Sequence, residues 1–332
     1  MSPAAAISLF ATGLVVSLGS SLLLARNLDR VGSRLGITDG LLGVLTALGA
    51  DSPEISTAAV AILAGHGDLG VGVVLGSNVF NLAGLLGLTA VIGSGMMIGR
   101  RAVLLEGGAA VGVASVAVLV VTRLVSGVAG CALVLAVMIP YVWLVSLRPA
   151  EVLQGTSAGR FRRRVAAALI EEEFAARLDH RARPATFADA LMIVPAAGLV
   201  IGASVAMVAA ADAIGSQLSV SGALMGVLVL AILTSVPNVL AAVRLGRHGR
   251  GAAVVSEAFN SNSLNVFAGL CLPAAILGLG GTADLGLLTA WWALGMTFAS
   301  AALLYMERGL TVRAGWAIIS SYGLFVLVAI VH

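Results

Sequence analysis

Two short stretches place acids, hydroxyls and amides in an otherwise apolar chain. The first reads Ala50-Asp51-Ser52-Pro53-Glu54 and the second Thr234-Ser235-Val236-Pro237-Asn238. Proline has no N–H, so the carbonyls four residues earlier, at Gly49 and Leu233, lose their helical donor, and Pro53 and Pro237 are predicted helix breaks. Freed carbonyls beside carboxylates, hydroxyls and amides make an all-oxygen cage. Such a cage suits hard cations such as Na⁺ and Ca²⁺, whereas zinc or copper would ask for imidazole and thiolate. Each stretch has a partner segment: Ser77 and Asn81 follow the first, Ser261 and Asn265 the second. A spacing of four is about one helical turn, so each Ser–Asn pair shares a helix face.

The elements that must hold these residues follow from composition. Of the 332 residues 59% are hydrophobic and only 11% charged, with a mean hydropathy of +1.06. A soluble domain carries roughly 25% charged residues, so a water-solvated packed domain is excluded. The expected fold is an all-α polytopic membrane protein. A spanning helix needs about 20 apolar residues, and ten such runs fit, at 4–25, 37–64, 69–95, 102–122, 126–147, 187–211, 218–245, 251–280, 285–305 and 312–331. They do not alternate as β-barrel strands would. The 41 glycines suit close helix contact in a bilayer.

All 19 basic residues are arginine. With the N-terminus outside, every arginine except Arg123 falls in an inner loop, as the positive-inside rule asks. Both termini are therefore expected outside the cell membrane, with residues 149–186 cytoplasmic. The first run meets Arg26, Arg30 and Arg34 only at its far end, against a cleaved signal peptide. A net charge of +3 reflects this topology and is no sign of nucleic-acid binding.

A shift of 184 residues aligns Pro53 with Pro237, Gly65-His66-Gly67 with Gly249-Arg250-Gly251, Ser77-Asn78 with Ser261-Asn262, and Asn81 with Asn265. Five predicted spans separate the copies. An odd number makes them enter the membrane from opposite sides, an inverted-topology repeat of the kind found in secondary transporters. The predicted organisation is a first half at 1–148 with its repeat at about 37–90, a loop at 149–186, and a second half at 187–332 with its repeat at about 220–274.

Gly49-Ala50-Asp51-Ser52-Pro53-Glu54 with Gly76-Ser77-Asn78-Val79-Phe80-Asn81 resembles the first α-repeat of the sodium/calcium exchanger (calcium/cation antiporter) superfamily. Thr234-Ser235-Val236-Pro237-Asn238 with Ser261-Asn262-Ser263-Leu264-Asn265 resembles the second, in a more degenerate form. The resemblance implies a 5+5 inverted repeat exchanging cations by alternating access, with no enzymatic activity and no cofactor. It makes Glu54 the central carboxylate and puts Asp51 and Ser235 at the small hydroxyl positions. Asn238 stands where a second central acid is usual, and Asn265 where many members carry Asp. Ala50, in place of the usual Thr, and Thr234 would each offer a backbone carbonyl. Ser77, Asn81 and Ser261 match directly.

The departures bear on the chemistry. Both carboxylates, Asp51 and Glu54, come from the first half at i, i+3 spacing, and the second half contributes neutral groups. Two acids that close do not ionise independently in a low-dielectric cavity, which suits a proton as counter-ion. The expected function is export of Ca²⁺ against H⁺ or Na⁺. A monovalent Na⁺/H⁺ exchanger is the same-class alternative, and a transport-inactive membrane scaffold or sensor the alternative of another class. Glu257, one turn before Ser261, is expected to relay a cation or proton on the inner side, or else to snorkel towards Arg250. Glu106 is read as an interfacial partner of Arg100 and Arg101, and His66 as an outer-turn residue. In the loop, Phe161, Val165 and Leu169 make an apolar stripe beside arginines, suited to an amphipathic helix on the inner leaflet.

Overall fold

The computed structural model describes residues 1–35, 39–93, 95–146, 186–280 and 283–332; the loop stripe at Phe161, Val165 and Leu169 lies outside them. Among the described residues eight helices are long and apolar enough to cross a membrane. They are α1 (Pro3–Arg34), α4 (Gly67–Ile92), α5 (Arg100–Val121), α6 (Gly127–Ser146), α7 (Phe187–Leu218), α8 (Gly222–Arg247), α10 (Asp284–Glu307) and α11 (Val312–Val331). The predicted second span is two pieces, α2 (Asp39–Ala50) and α3 (Ser52–Leu63), which meet at Asp51. The predicted eighth span is α9, a helical run over 251–277. The chain is an all-α, multi-pass membrane protein.

The two prolines behave differently. Pro53 sits in the first turn of α3, where a missing N–H is harmless. The carbonyl it deprives, Gly49 O, instead accepts the Ser52 hydroxyl at 2.7 Å. Pro237 does not break its helix, contrary to the expectation from sequence: α8 stays helical on both sides of it. Each backbone group freed in a bilayer costs several kcal/mol, so losing one hydrogen bond while the helix continues is cheaper than opening it. Helix α8 carries a π-helical segment earlier, at Met225–Leu230. Similar π segments follow the Ser–Asn motifs, at Leu82–Leu88 in α4 and Asn265–Cys271 in α9.

Helix α4 is the centre of the molecule. Its most apolar window is 94% buried, against 22% for α6 and 28% for α1. Glycines let it touch α8 backbone to backbone. A β-carbon at Gly76 would lie 2.7 Å from the Val227 backbone, one at Gly72 would lie 2.7 Å from Ala223 O, and one at Gly226 would collide with the Leu69 carbonyl. The motif beginning at Ser77 is thereby pressed against the second half of the chain.

The turns rich in arginine gather at one end. Met96–Met97 (β1) pairs antiparallel with Gly309–Leu310 (β2), Arg100 Nε donates to Tyr305 O at 3.1 Å, and a β-carbon at Gly251 would meet Met96. At the other end Asp68 accepts the Ala283 N–H at 2.6 Å, and His66 Nδ1 lies 3.4 Å from Asp212 Oδ1. Glu106 is buried within α5. Helices α1 and α7 pack side by side and are joined at both ends. Arg30 meets Asp189 at 2.8 Å, and Gln217 Nε2 donates to Met1 O at 2.9 Å.

Candidate cation site

The α2–α3 break, α4, α8 and α9 converge on the two predicted carboxylates. Asp51 is 1% exposed and Glu54 fully buried. Asp51 Oδ1 accepts from Ser261 Oγ at 2.8 Å and from Asn238 Nδ2 at 2.6 Å. The same Asn238 nitrogen donates to Glu54 Oε1 at 3.1 Å. Glu54 and Asn238 are 184 residues apart, so two residues that the 184-residue shift aligns touch one another. Glu54 lies in the first turn of α3, where the helix dipole favours a negative charge.

Beside this cluster runs an array of amides. Asn78 Nδ2 donates to Asn262 O at 3.2 Å and Asn262 Nδ2 to Asn78 O at 2.9 Å, a reciprocal pair again 184 residues apart. Asn81 Nδ2 donates to Asn262 Oδ1 at 3.1 Å, and its repeat equivalent Asn265 donates from Nδ2 to Asn78 Oδ1 at 3.3 Å. Asn81 Nδ2 also reaches Ser261 Oγ, at 3.1 Å. Spacing alone gives Asn78 and Asn262 no part in the site. The signal that marks them is the 184-residue register, which aligns them as it aligns Asn81 and Asn265.

The nitrogens of the three predicted amide ligands are thus all bonded, whereas their oxygens are not. Asn81 Oδ1, Asn238 Oδ1 and Asn265 Oδ1 are buried without a hydrogen-bond partner, as are Asp51 Oδ2, Glu54 Oε2 and Ser77 Oγ. A buried polar atom left unpaired costs about 1–3 kcal/mol, so the free oxygens of Asp51, Glu54 and Asn238, which the shared Asn238 nitrogen holds together, call for a ligand. Six to eight oxygens are what Ca²⁺ takes.

The other predicted residues lie at the edge of this group. Thr234 is fully buried and turns its hydroxyl back to Leu230 O at 2.8 Å. Ala50 closes α2 beside the break. Glu257 sits one turn before Ser261, half-buried, with Oε2 shielded from solvent and unpartnered.

The sequence profile of the family described as "Sodium/calcium exchanger protein" matches residues 5–147 and again 189–331, the second match displaced by 184 residues at both ends. A protein named as an antiporter, CaxA of Alkalimonas amylolytica, is 36% identical over 86 residues, or 26% of this chain and 27% of that one. The sodium/potassium/calcium exchanger Nckx30C of Drosophila melanogaster is 35% identical over 65 residues, 19% of this chain and 7% of that one. The chain thus spans well under half the length of these relatives. Among solved structures, the H⁺/Ca²⁺ exchanger CAX superposes with a TM-score of 0.70 at 10% identity, covering 98% of this chain and 86% of that one. The sodium-calcium exchanger NCX_Mj gives 0.61 at 16% identity, covering 98% and 99%. At such identities these two likenesses show a shared fold. With the family profile matching both halves of the sequence, the chain belongs to the sodium/calcium exchanger family.

Proposed function

We propose that the protein is a secondary active antiporter that moves Ca²⁺ outward in exchange for H⁺ or Na⁺ by alternating access. The observation that carries this reading is the buried Asp51–Glu54 pair set among unpartnered oxygens from both halves of the chain. The two carboxylates hold the ion, and Ser77, Asn81, Ser235, Asn238, Ser261 and Asn265 complete its shell, with backbone carbonyls from Ala50 and Thr234. Two negative charges balance a divalent ion. The names of CAX, an H⁺/Ca²⁺ exchanger, and NCX_Mj, a sodium-calcium exchanger, support Ca²⁺ as one of the exchanged ions.

Two observations support an inverted 5+5 repeat: the family profile matched twice with a constant displacement, and the reciprocal Asn78–Asn262 bonds. In the cycle we infer, α1 and α7, joined at both ends, slide as one body past the site. The arginine-rich end then faces the cytoplasm, with both termini outside the cell membrane. One observation favours Na⁺/H⁺ exchange instead: Asn238 and Asn265 leave the second half of the site without a carboxylate.

The test is flux into proteoliposomes under imposed Ca²⁺, Na⁺ and pH gradients. Ca²⁺ uptake driven by an opposing H⁺ or Na⁺ gradient, and abolished by Glu54→Gln, is expected. Uptake indifferent to Glu54→Gln overturns the site. Na⁺ movement coupled to pH with no Ca²⁺ movement selects the monovalent reading, and no flux of any cation selects a membrane scaffold or sensor.

A further inference from the structure

Of the three predicted amide ligands, Asn238 bonds Asp51 and Glu54 directly, Asn81 joins them through Ser261, and Asn265 is held in the amide array beside them. Asn81 and Asn265 each give their amide nitrogen to an asparagine of the opposite half, at 3.1 and 3.3 Å. Those asparagines, Asn262 and Asn78, are pinned in turn to each other's backbone carbonyls. This chain of bonds fixes which way the Asn81 and Asn265 amides face. At Asn238 both bonds from Nδ2 run to carboxylates, 2.6 Å to Asp51 Oδ1 and 3.1 Å to Glu54 Oε1, and Oδ1 is buried without a partner.

A nitrogen shared between two carboxylate oxygens stands where a cation bridging them would bind. The two cannot coexist, because the amide hydrogens carry partial positive charge and repel a cation. The amide's terminal torsion is broad and roughly two-fold, so a half-turn exchanges its nitrogen and oxygen with little other movement. After that turn, the oxygen now left unpaired faces the ion. An ionised carboxylate at this position could not behave so, since it has no donor to present.

We propose that the Asn238 amide is a rotating element of the site, which fills the gap between Asp51 and Glu54 with its N–H groups and turns its carbonyl in when a cation enters. Asn81 and Asn265 are the fixed ligands against which it turns. The proposal rests on the exchanger reading above and names the residue that every entering cation must displace. It gives the acid-to-amide departure at this position a mechanical role, that of a donor which competes with the ion.

The test uses the full chain in detergent micelles with ¹⁵N-labelled asparagine, following side-chain amide resonances by NMR during titration with Ca²⁺ and, separately, Na⁺. The Asn238 signals are assigned by their loss in Asn238→Asp and, independently, in Asn238→Ala. The Asn238 N–H signals are expected downfield without cation, as for donors to carboxylates, and to move upfield on loading. The Asn81 N–H signals, held by Asn262, are expected to stay. A stationary Asn238 signal in a protein that carries the ion in the flux assay overturns the rotation and leaves the exchanger reading intact. A moving Asn238 signal in a protein that carries no ion upholds the rotation and overturns the exchanger reading. Asn81 and Asn238 signals moving together overturn the distinction between fixed and turning amides. No response to either ion, with no flux, overturns both ideas.

Discussion

The two halves of the site bring equivalent positions to the same centre with different backbones and different charge. In the first half the chain breaks at Asp51, and a new helix starts at Ser52 with Glu54 in its first turn. In the second half the chain runs through Pro237 as one helix, and the residue equivalent to Glu54 is Asn238. Charge and backbone go together. A helix start offers unpaired N–H groups and the positive end of a dipole, which help a buried carboxylate to stay ionised. Mid-helix, those groups are consumed by the helix itself, and a neutral amide is the polar group that can be buried there at lower cost. The helix start and both carboxylates thus fall in the same half, and the unbroken helix carries the amide.

The sharpest way to break this comparison is to neutralise each half in turn. Glu54→Gln removes a buried charge that a bound ion would pair with. Such a loss costs about 3 kcal/mol, on the order of a hundredfold in affinity. Asn238→Ala removes a neutral ligand and is expected to weaken binding by about 1 kcal/mol, under tenfold. Cation titrations read by calorimetry or tracer binding check both. Equal losses would mean that the second half carries as much of the ion's charge as the first. Asn238→Glu then sharpens the point, since a third acid is expected to raise Ca²⁺ affinity over Na⁺ affinity. Unchanged selectivity would mean that position 238 does not face the ion.

The seam between the halves comes next. Gly226 and Gly76 allow α4 and α8 to touch at the backbone. Gly226→Val overfills that contact and should destabilise the protein by about 1–3 kcal/mol, seen as earlier thermal unfolding in detergent. Gly19→Ala, where a β-carbon would meet nothing within 4 Å, is the control and should be neutral or mildly stabilising, by about 0.5–1 kcal/mol. A smaller effect is expected at the reciprocal pair. Asn78→Leu and Asn262→Leu each remove one of the two backbone bonds and leave the other in place. Their double-mutant cycle should show a coupling of about 1 kcal/mol. Additive losses would mean that the two asparagines stabilise their own halves separately.

The membrane class and the family were legible in the sequence, because they depend on composition and on short motifs. Asp51, Glu54, Asn238 and Ser261 do meet. The behaviour of Pro237 was not legible. A proline states that one hydrogen bond is missing, while its surroundings decide whether the helix opens, and α8 is held closed along α4. The clamp formed by Asn78 and Asn262 was hidden for a related reason. An asparagine is equally a ligand or a helix-to-helix tie, and only position tells which end of the amide is used. Glu257 illustrates the limit from the other side: its spacing puts it on the face of Ser261, yet the bonds that organise Asp51 come from Ser261 and Asn238.

The smallest expected effect concerns the pair that joins the two halves outside the site. Arg30 of α1 and Asp189 of α7 form an ion pair, with the arginine side chain 37% and the aspartate side chain 11% exposed. A pair with one partner open to solvent contributes about 0.2–1 kcal/mol and is screened by salt. Asp189 does more than pair with Arg30. It accepts the Thr186 N–H and hydroxyl, each at 2.7 Å, in a capping box that starts α7, and losing a cap costs about 1 kcal/mol. Arg30→Ala should therefore lower thermal stability slightly at low salt and not at all at about 1 M salt, where the screening length is roughly 3 Å. Asp189→Ala should lower it more, with most of the loss surviving in salt. If the two variants lose the same stability and both recover in salt, the contact between α1 and α7 at this end is electrostatic. If only the salt-resistant part remains, the second half holds its own helix start, and the first half merely leans on it.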